Sequence, residues 1–103
     1  MLYNILVGSY TDRITSLQFD SDAKSLCVHS DFRAGQNPSW LAQHPTDKSL
    51  IFAANEVTDG KIQLLKLAED ASLSFLEECS SLGADPASLN VSEDAVVVAN
   101  VRA

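Results

Sequence analysis

The sequence matches itself at a spacing of 48 residues. A period of this length is typical of proteins built from stacked copies of one structural unit. Both copies have the apolar spacing of strands, and no amphipathic helix lies between them, which excludes repeats of helix pairs. The matching pairs are Gly35 with Gly83, Pro38 with Pro86, Leu41 with Leu89, Ile14 with Ile62, Leu17 with Leu65, and Phe19 with Leu67.

Nine segments have the pattern of β-strands. Residues 14–20 alternate between apolar and polar side chains, as in a half-buried strand, and residues 50–54 form a continuous apolar run. We expect that run, and the similar run at 96–99, to be buried on both faces. The predicted strands are 5–7, 14–20, 25–32, 39–43, 50–54, 62–67, 73–79, 88–91 and 96–99. Between two of them, residues 58–60 predict a hairpin turn in which Gly60 supplies a positive φ.

Four strands in each 48-residue period predict an all-β fold of β-propeller blades, each of four antiparallel strands. With strands labelled A to D from the propeller axis outward, residues 1–103 form a single partial unit of about two blades. It contains B, C and D of one blade, A to D of the next, and A and B of a third. A closed propeller needs about four to eight blades. We therefore expect either a piece of a longer chain or a chain that assembles with copies of itself through exposed blade faces.

The net charge limits the possible binding partners of the chain, and its cysteine content indicates a cellular compartment. The net charge is −7, which argues against a nucleic acid or an anionic membrane as partner. No signal-peptide pattern and no run of about 20 apolar residues occurs. Cys27 and Cys79 are not at equivalent repeat positions, so we expect no disulfide between them and a cytoplasmic location. We expect both to be small apolar residues within strands.

Several short motifs resemble one known family. Residues 37–45 (NPSWLAQHP) and 50–56 (LIFAANE) resemble the inner two strands of a blade in lactonase-type seven-bladed propellers, the group of 6-phosphogluconolactonase and carboxymuconate cyclase. Residues 83–89 and 98–100 are similar to the next blade, and residues 6–11 to the first strand of that family. The resemblance covers most of this chain and about two-sevenths of a family member.

This resemblance implies a lactone hydrolase of the 6-phosphogluconolactonase type, present as a truncated or fragment form, with a small-molecule sugar lactone as substrate. We expect no cofactor and no metal ion. Two alternatives remain open. The chain is a non-catalytic propeller fragment that self-assembles or associates with a relative, or it is a cycloisomerase of the carboxymuconate cyclase type.

The topology of a blade predicts where a ligand would bind. B strands end, and A strands begin, at the same rim, so polar residues at those positions share one mouth. Glu56 is the candidate general base toward a water that attacks a lactone carbonyl. The alternative is that such residues only cap strands and turns. The candidate substrate-binding residues at this rim are Ser9, Tyr10, Asn37, Asn55, Asp85 and Asn100, with Ser39 beside them.

The remaining distinctive side chains have structural interpretations. His44 is predicted in a turn on the opposite rim and His29 on an outer strand, and neither has neighbours at metal-ligand spacing. Trp40 is predicted to pack against a neighbouring blade, the alternative being stacking on a sugar. The cations expected nearest the ligand rim are Arg33, Lys61 and Arg102.

Overall fold

The computed structural model describes all 103 residues, and its regular structure consists of nine β-strands. The prediction of an all-β chain is confirmed. No helix capable of spanning a membrane is present. The strands are β1 (Leu2–Val7), β2 (Arg13–Asp20), β3 (Ser25–Arg33), β4 (Pro38–Gln43), β5 (Leu50–Asn55), β6 (Lys61–Leu67), β7 (Leu73–Ser80), β8 (Ala84–Val91) and β9 (Val96–Arg102).

The strands form three antiparallel sheets that follow one another along the chain. Sheet 1 has the order β1-β2-β3, sheet 2 the order β4-β5-β6-β7, and sheet 3 the order β8-β9. The molecule measures 47 × 29 × 20 Å. Two connections lead from one sheet to the next, residues 34–37 and residues 81–83, and we call them crossover loops.

The 48-residue period is visible in the irregularities of the sheets. The β2–β3 ladder shifts register between Ser16 and Leu17, and the β6–β7 ladder shifts between Leu64 and Leu65, 48 residues later. Strands β4 and β8 also shift register just after their prolines, Pro38 and Pro86. Proline has no backbone N–H and is tolerated at strand starts and bulges. The repeat therefore reproduces the backbone irregularities as well as the strands.

The core lies between sheets 1 and 2. Ile14 and Ala34 from the side of sheet 1 pack with Ile51, Ala53 and Leu65 of sheet 2. The side chains of Ile14 and Leu65 are fully buried, and each such burial contributes about 1.5–3 kcal/mol. Successive side chains of a strand point to opposite faces. The opposite face of each sheet is therefore either covered by another part of the structure or exposed to solvent.

The predicted burial is confirmed for one apolar run and wrong for the other. In β5, Ile51, Ala53 and Ala54 are buried, but Val97 in β9 is 66% exposed. Sheet 3 has only two strands, and only the face of β9 that points toward sheet 2 is shielded. Val97 lies on the opposite face, so a charged substitution at this position would not be buried.

Gly60 has a different role from the predicted one. Among the glycines only Gly35 has a positive φ, so Gly60 does not supply the left-handed conformation that the turn composition suggested. A Cβ at Gly60 would lie 2.6 Å from Cδ of Pro86 and would overlap the hydroxyl of Ser81. Glycine is required there because the second crossover loop lies directly on the β5–β6 turn.

The repeat slips by one residue within the crossover loops. The amides of Ala34 and Ser81 donate to equivalent carbonyls at the starts of β2 and β6, at 2.9 and 2.8 Å. The next residue in each loop has a left-handed backbone, with φ of 74° at Gly35 and 60° at Leu82. The structural counterpart of Gly35 is therefore Leu82, although the sequence aligns Gly35 with Gly83.

Candidate functional site

The crossover loops and the turns after β1 and β5 lie at one edge of the sheets. The amide of Asn37 donates to the carbonyl of Thr11 at 2.8 Å, and the amide of Asp85 donates to the carbonyl of Val57 at 2.8 Å. We call this edge the crossover edge. At the opposite edge, Nε2 of His44 lies 2.9 Å from the carbonyl oxygen of Glu93, which joins the β4–β5 turn to the β8–β9 turn.

Three polar side chains converge at the crossover edge. The hydroxyl of Tyr10 donates to Oε1 of Glu56 at 3.0 Å, and the hydroxyl of Ser39 donates to the same oxygen at 2.8 Å. Tyr10 belongs to the turn between β1 and β2, Ser39 to β4, and Glu56 directly follows β5. We call these residues the Glu56 cluster. It spans the junction between sheets 1 and 2, and Glu56 as a residue is half-buried.

The backbone of Glu56 is held as firmly as its side chain. Its amide donates to the carbonyl of Asn37 at 2.9 Å, and Nδ2 of Asn37 donates to the carbonyl of Glu56 at 3.1 Å. Asn37 has a φ of 52°, a left-handed conformation that asparagine tolerates better than most residues. This reciprocal pair fixes where the glutamate leaves the sheet.

The carboxylate acts in turn on the Tyr10 phenol. The hydrogen bond to Glu56, followed by the negative charge of that carboxylate, raises the pKa of Tyr10 above its ordinary value of 10.0. A raised pKa keeps the phenol protonated over a wider range of pH. Tyr10 therefore remains a hydrogen-bond donor to Glu56 under all near-neutral conditions.

The two candidate asparagines at strand ends hold backbone. Nδ2 of Asn55 donates to the carbonyls of Ala34 and Gln36 at 2.8 and 2.9 Å, and the residue is 4% exposed. Nδ2 of Asn100 donates to the carbonyl of Ser81 at 2.9 Å. Each asparagine thus fixes the crossover loop that enters its own sheet.

The last two candidate binding residues also have internal partners. Ser9 donates its hydroxyl to the carbonyl of Arg13 at 2.8 Å, which shapes the turn that carries Tyr10. Asp85 has a φ of 56° and accepts from Nε of Arg102 at 2.9 Å. Asp85 therefore lies at the crossover edge with its carboxylate already neutralised.

Each cation expected near the ligand rim lies close to a carboxylate. Lys61 contacts Asp59 at 2.8 Å, and this hydrogen bond raises the pKa of its ammonium. Arg33 lies 3.7 Å from Asp12. Arg102 is paired with Asp85, as described above. The sequence showed the cations but not their partners. Asp59 and Asp12 come from adjoining turns, and Asp85 comes from the neighbouring strand β8.

Other predicted side chains lie where the sequence placed them. Nε1 of Trp40 donates to the carbonyl of Leu89 at 3.1 Å, so this side chain contacts the inner strand of the next sheet. The imidazole of His29, on β3, lies 2.9 Å from the carbonyl oxygen of Asp70. Cys27 and Cys79 are free thiols on the outermost strands β3 and β7 and are exposed. No three His, Cys, Asp or Glu side chains lie close enough together to hold a metal ion.

A cleft of about 530 Å³ adjoins the Glu56 cluster. Asn55 and Val57, the sequence neighbours of Glu56, line it together with Gln36 of the first crossover loop. Seven of its nine lining residues have polar side chains, a set of residue types suited to a polyhydroxylated ligand. Its other lining residues are Gly35, Thr58, Asp59, Lys61, Gln63 and Glu78.

The Glu56 cluster is not reproduced at the junction between sheets 2 and 3. Asn55 and Asn100 are equivalent, so Val101, which follows Asn100, is the counterpart of Glu56. Pro38 and Pro86 are equivalent, so Ala87, which follows Pro86, is the counterpart of Ser39. The counterpart of Tyr10 at the 48-residue spacing is Thr58. The backbone frame therefore repeats without the carboxylate and its donors. The one signal in the sequence for the contact of Ser39 with Glu56 was this contrast with Ala87.

Comparison with known proteins agrees with this architecture. The sequence profile of the family described as "Lactonase, 7-bladed beta-propeller" matches residues 4–102. The chain belongs to this family. A search of curated proteins found no significant match.

Two solved structures of candidate 6-phosphogluconolactonases resemble this member of the lactonase family. The protein from Bacteroides fragilis is 25% identical, with a TM-score of 0.84 over 94% of this chain. The protein from Bacteroides uniformis is 24% identical, with a TM-score of 0.81 over 92% of this chain, and shows the shared fold. This chain spans 29% of the length of each of those proteins.

Proposed function

We propose that the crossover edge of this chain binds a sugar lactone and that Glu56 is the general base of its hydrolysis, as in an enzyme of the 6-phosphogluconolactonase type. In this proposal the three sheets are successive blades, with B to D, A to D, and A and B of the propeller order. The observation that carries the proposal is the Glu56 carboxylate, which is held at the junction of two sheets and keeps one oxygen, Oε2, without a hydrogen bond.

The chemistry needs one proton acceptor and one water. Glu56 removes a proton from the water while the water oxygen bonds to the carbonyl carbon of the lactone. The bond from that carbon to the ring oxygen then breaks, and the departing alkoxide takes the proton back from Glu56. The product is a hydroxy acid, and no co-reactant other than water is consumed. General-base assistance of this kind contributes roughly 10²–10⁴-fold to a rate.

The other residues of the crossover edge have supporting parts in this proposal. Asn37 presents its side chain beside Glu56, and Asp85 lies at the next junction. Ser9, Asn55 and Asn100 fix the loops and the turn that form the edge. The cleft next to Glu56 offers hydroxyl, amide and carboxylate groups to the hydroxyls of a sugar lactone.

The test is a lactone-hydrolysis assay on the wild type and on Glu56→Gln. The variant keeps the size of the side chain and an acceptor oxygen for the two hydroxyls, but it removes the base. We expect at least a hundredfold loss of kcat. Asp47→Asn, on the β4–β5 turn at the opposite edge, is the matched control and retains activity. Activity that survives Glu56→Gln and falls in Asp47→Asn would reverse the assignment of the two edges.

A second candidate function is a non-catalytic unit that associates with copies of itself or with a relative. The observation that favours it is the outer face of sheet 1, which we define by Tyr3, Ile5, Leu17, Phe19 and Val28. These side chains are cross-strand neighbours, and Tyr3, Ile5 and Val28 are 48%, 40% and 69% exposed. A wild-type chain without lactone hydrolysis supports this second function over the first.

A further inference from the structure

The Glu56 carboxylate is held by one of its two oxygens. Oε1 accepts both the Tyr10 phenol and the Ser39 hydroxyl, whereas Oε2 accepts no hydrogen bond from the chain. A carboxylate offers about four lone-pair sites, divided between its two oxygens. Two donors on Oε1 therefore occupy that oxygen and leave the lone pairs of Oε2 free for a proton.

The two donors also set the orientation of the carboxylate. The last torsion of a glutamate side chain has a broad preference, so nothing within the residue itself fixes its oxygens. Tyr10 reaches Glu56 from sheet 1, and Ser39 reaches it from sheet 2, while Asn37 holds its backbone. Rotation of the carboxylate plane away from this position would break both hydroxyl contacts at once.

We propose that Tyr10 and Ser39 are positioning residues, which hold Glu56 so that Oε2 faces the attacking water and which do not themselves contact the lactone. This inference rests on the proposed function, because the orientation of Glu56 matters only if it removes a proton. The proton from water goes to Oε2, and Oε1 keeps its two hydroxyl donors throughout. Tyr10 is thereby moved from the substrate-binding role that its rim position suggested.

The absence of this cluster from the next junction supports a role beyond folding. Sheets 2 and 3 dock with the same loop-clamping asparagine and the same proline-led inner strand, yet Thr58, Ala87 and Val101 replace the three polar residues. Docking of one sheet on the next therefore does not need the carboxylate or its donors. The raised pKa of Tyr10 is a measurable consequence of the contact.

The kinetic test compares Tyr10→Phe and Ser39→Ala with the wild type. Loss of either donor lets the carboxylate rotate, so we expect kcat to fall about tenfold or more with KM unchanged. Ser39→Thr keeps the hydroxyl and should restore most of the rate lost in Ser39→Ala. In a Glu56→Gln background, removal of Ser39 should cause no further loss, because the group it positions is no longer a base. A rise in KM at constant kcat would show substrate contact and overturn the positioning role.

A second measurement is independent of activity. In a Tyr3→Phe background the absorbance of phenolate reports Tyr10 alone. We expect Glu56→Gln to lower the pKa of Tyr10 and Ser39→Ala to leave it raised, because Ser39 has the opposite influence on it. A phenol that titrates identically with and without Glu56 overturns the inference whatever the activity. If the pKa of Tyr10 depends on Glu56 but the chain does not hydrolyse a lactone, the proposed function is wrong, and the contact has no catalytic role.

Discussion

Asn55 and Asn100 occupy the same place in successive sheets, and each donates its side-chain amide to a backbone carbonyl of the crossover loop before its sheet. Asn55 makes two such bonds and Asn100 makes one. Strands β5 and β9, which contain these residues, lie second in their sheets. Each sheet is thus hydrogen-bonded to the loop that precedes it, and the same residue type makes this contact in both sheets.

We predict that Asn55→Ala destabilises the chain by about 2–3 kcal/mol and that Asn100→Ala costs about 1 kcal/mol. Asn55 satisfies the buried carbonyl of Ala34 and the part-buried carbonyl of Gln36, whereas Asn100 satisfies one carbonyl. The difference follows because an orphaned buried acceptor costs about 1–3 kcal/mol. Urea denaturation of both variants gives the two values. Asn55→Asp is a sharper probe because it places a carboxylate against two carbonyl oxygens and should destabilise more than alanine. Equal effects at positions 55 and 100 would contradict this account.

A second prediction concerns the core between sheets 1 and 2. Leu65 is fully buried, so Leu65→Ala should cost about 2–5 kcal/mol through lost burial and the cavity left behind. Val97→Ala removes a comparable apolar side chain from an exposed position and should change the free energy of unfolding by less than about 0.5 kcal/mol. The two variants form a matched pair in the same denaturation experiment. A large effect at Val97 would mean that the outer face of sheet 3 is covered in solution.

The sequence predicted the repeat and the strands because both depend on local pattern. Alternation in residues 14–20 and the apolar run at 50–54 are properties of the chain itself. Burial of Val97 failed because burial depends on which neighbour covers a face, and an apolar side chain gives no sign of that. Arg102 shows the same limit. The sequence indicated a free cation, whereas in the structure Arg102 donates to Asp85 of the preceding strand.

The sequence predicted which edge of the sheets carries the candidate site, but it did not predict the side-chain contacts within that site. The order of strands in a blade was enough to put Tyr10 and Glu56 at one edge, 46 residues apart in sequence. Ser39, which donates to Glu56, lies at the bulge after Pro38, where the β4–β5 ladder shifts register. Backbone irregularities of this kind have weak sequence signals, so the partnership of Ser39 with Glu56 required the structure.

The acid limit of stability should depend in part on Asp47. The hydroxyl of Ser49, and then its amide, donate to this carboxylate and hold its pKa below the ordinary 3.8. A lowered pKa in the folded state gives a stabilisation that is present above about pH 4 and is lost as the pH falls through the folded pKa. We predict that the difference in Tm between the wild type and Asp47→Asn shrinks as the pH falls below about 4. Ser49→Ala should reduce the same difference at neutral pH, and a difference that grows on acidification would contradict the assignment.

Self-association through the outer face of sheet 1 is the fourth prediction. An uncovered apolar face on a sheet is a site of protein–protein contact or aggregation. We expect the wild-type chain to sediment above its monomer mass at micromolar concentration. Val28→Lys should shift it toward the monomer, because the lysine places a charge opposite Leu17 within the apolar cross-strand cluster. Leu82→Asn removes an exposed apolar side chain elsewhere and serves as the control. A wild-type chain that is a compact monomer with a sharp two-state melt would refute this prediction.

The final prediction tests the structural equivalence of Gly35 and Leu82. Both have left-handed backbones, a conformation that costs an L-residue with a side chain roughly 1–2 kcal/mol. Leu82 is 90% exposed, so Leu82→Gly loses little packing. It should stabilise the chain by about 0.5 kcal/mol after the added entropy of the unfolded state is subtracted. Gly35→Ala should destabilise by about 1–2 kcal/mol, because the new Cβ is in a left-handed residue and lies 3.3 Å from Nδ2 of Asn55. Leu82→Ala keeps the backbone penalty and should be close to neutral. If glycine at position 82 destabilises the chain as much as alanine at position 35, the two loops are not equivalent, and the alignment of Gly35 with Gly83 is the correct one.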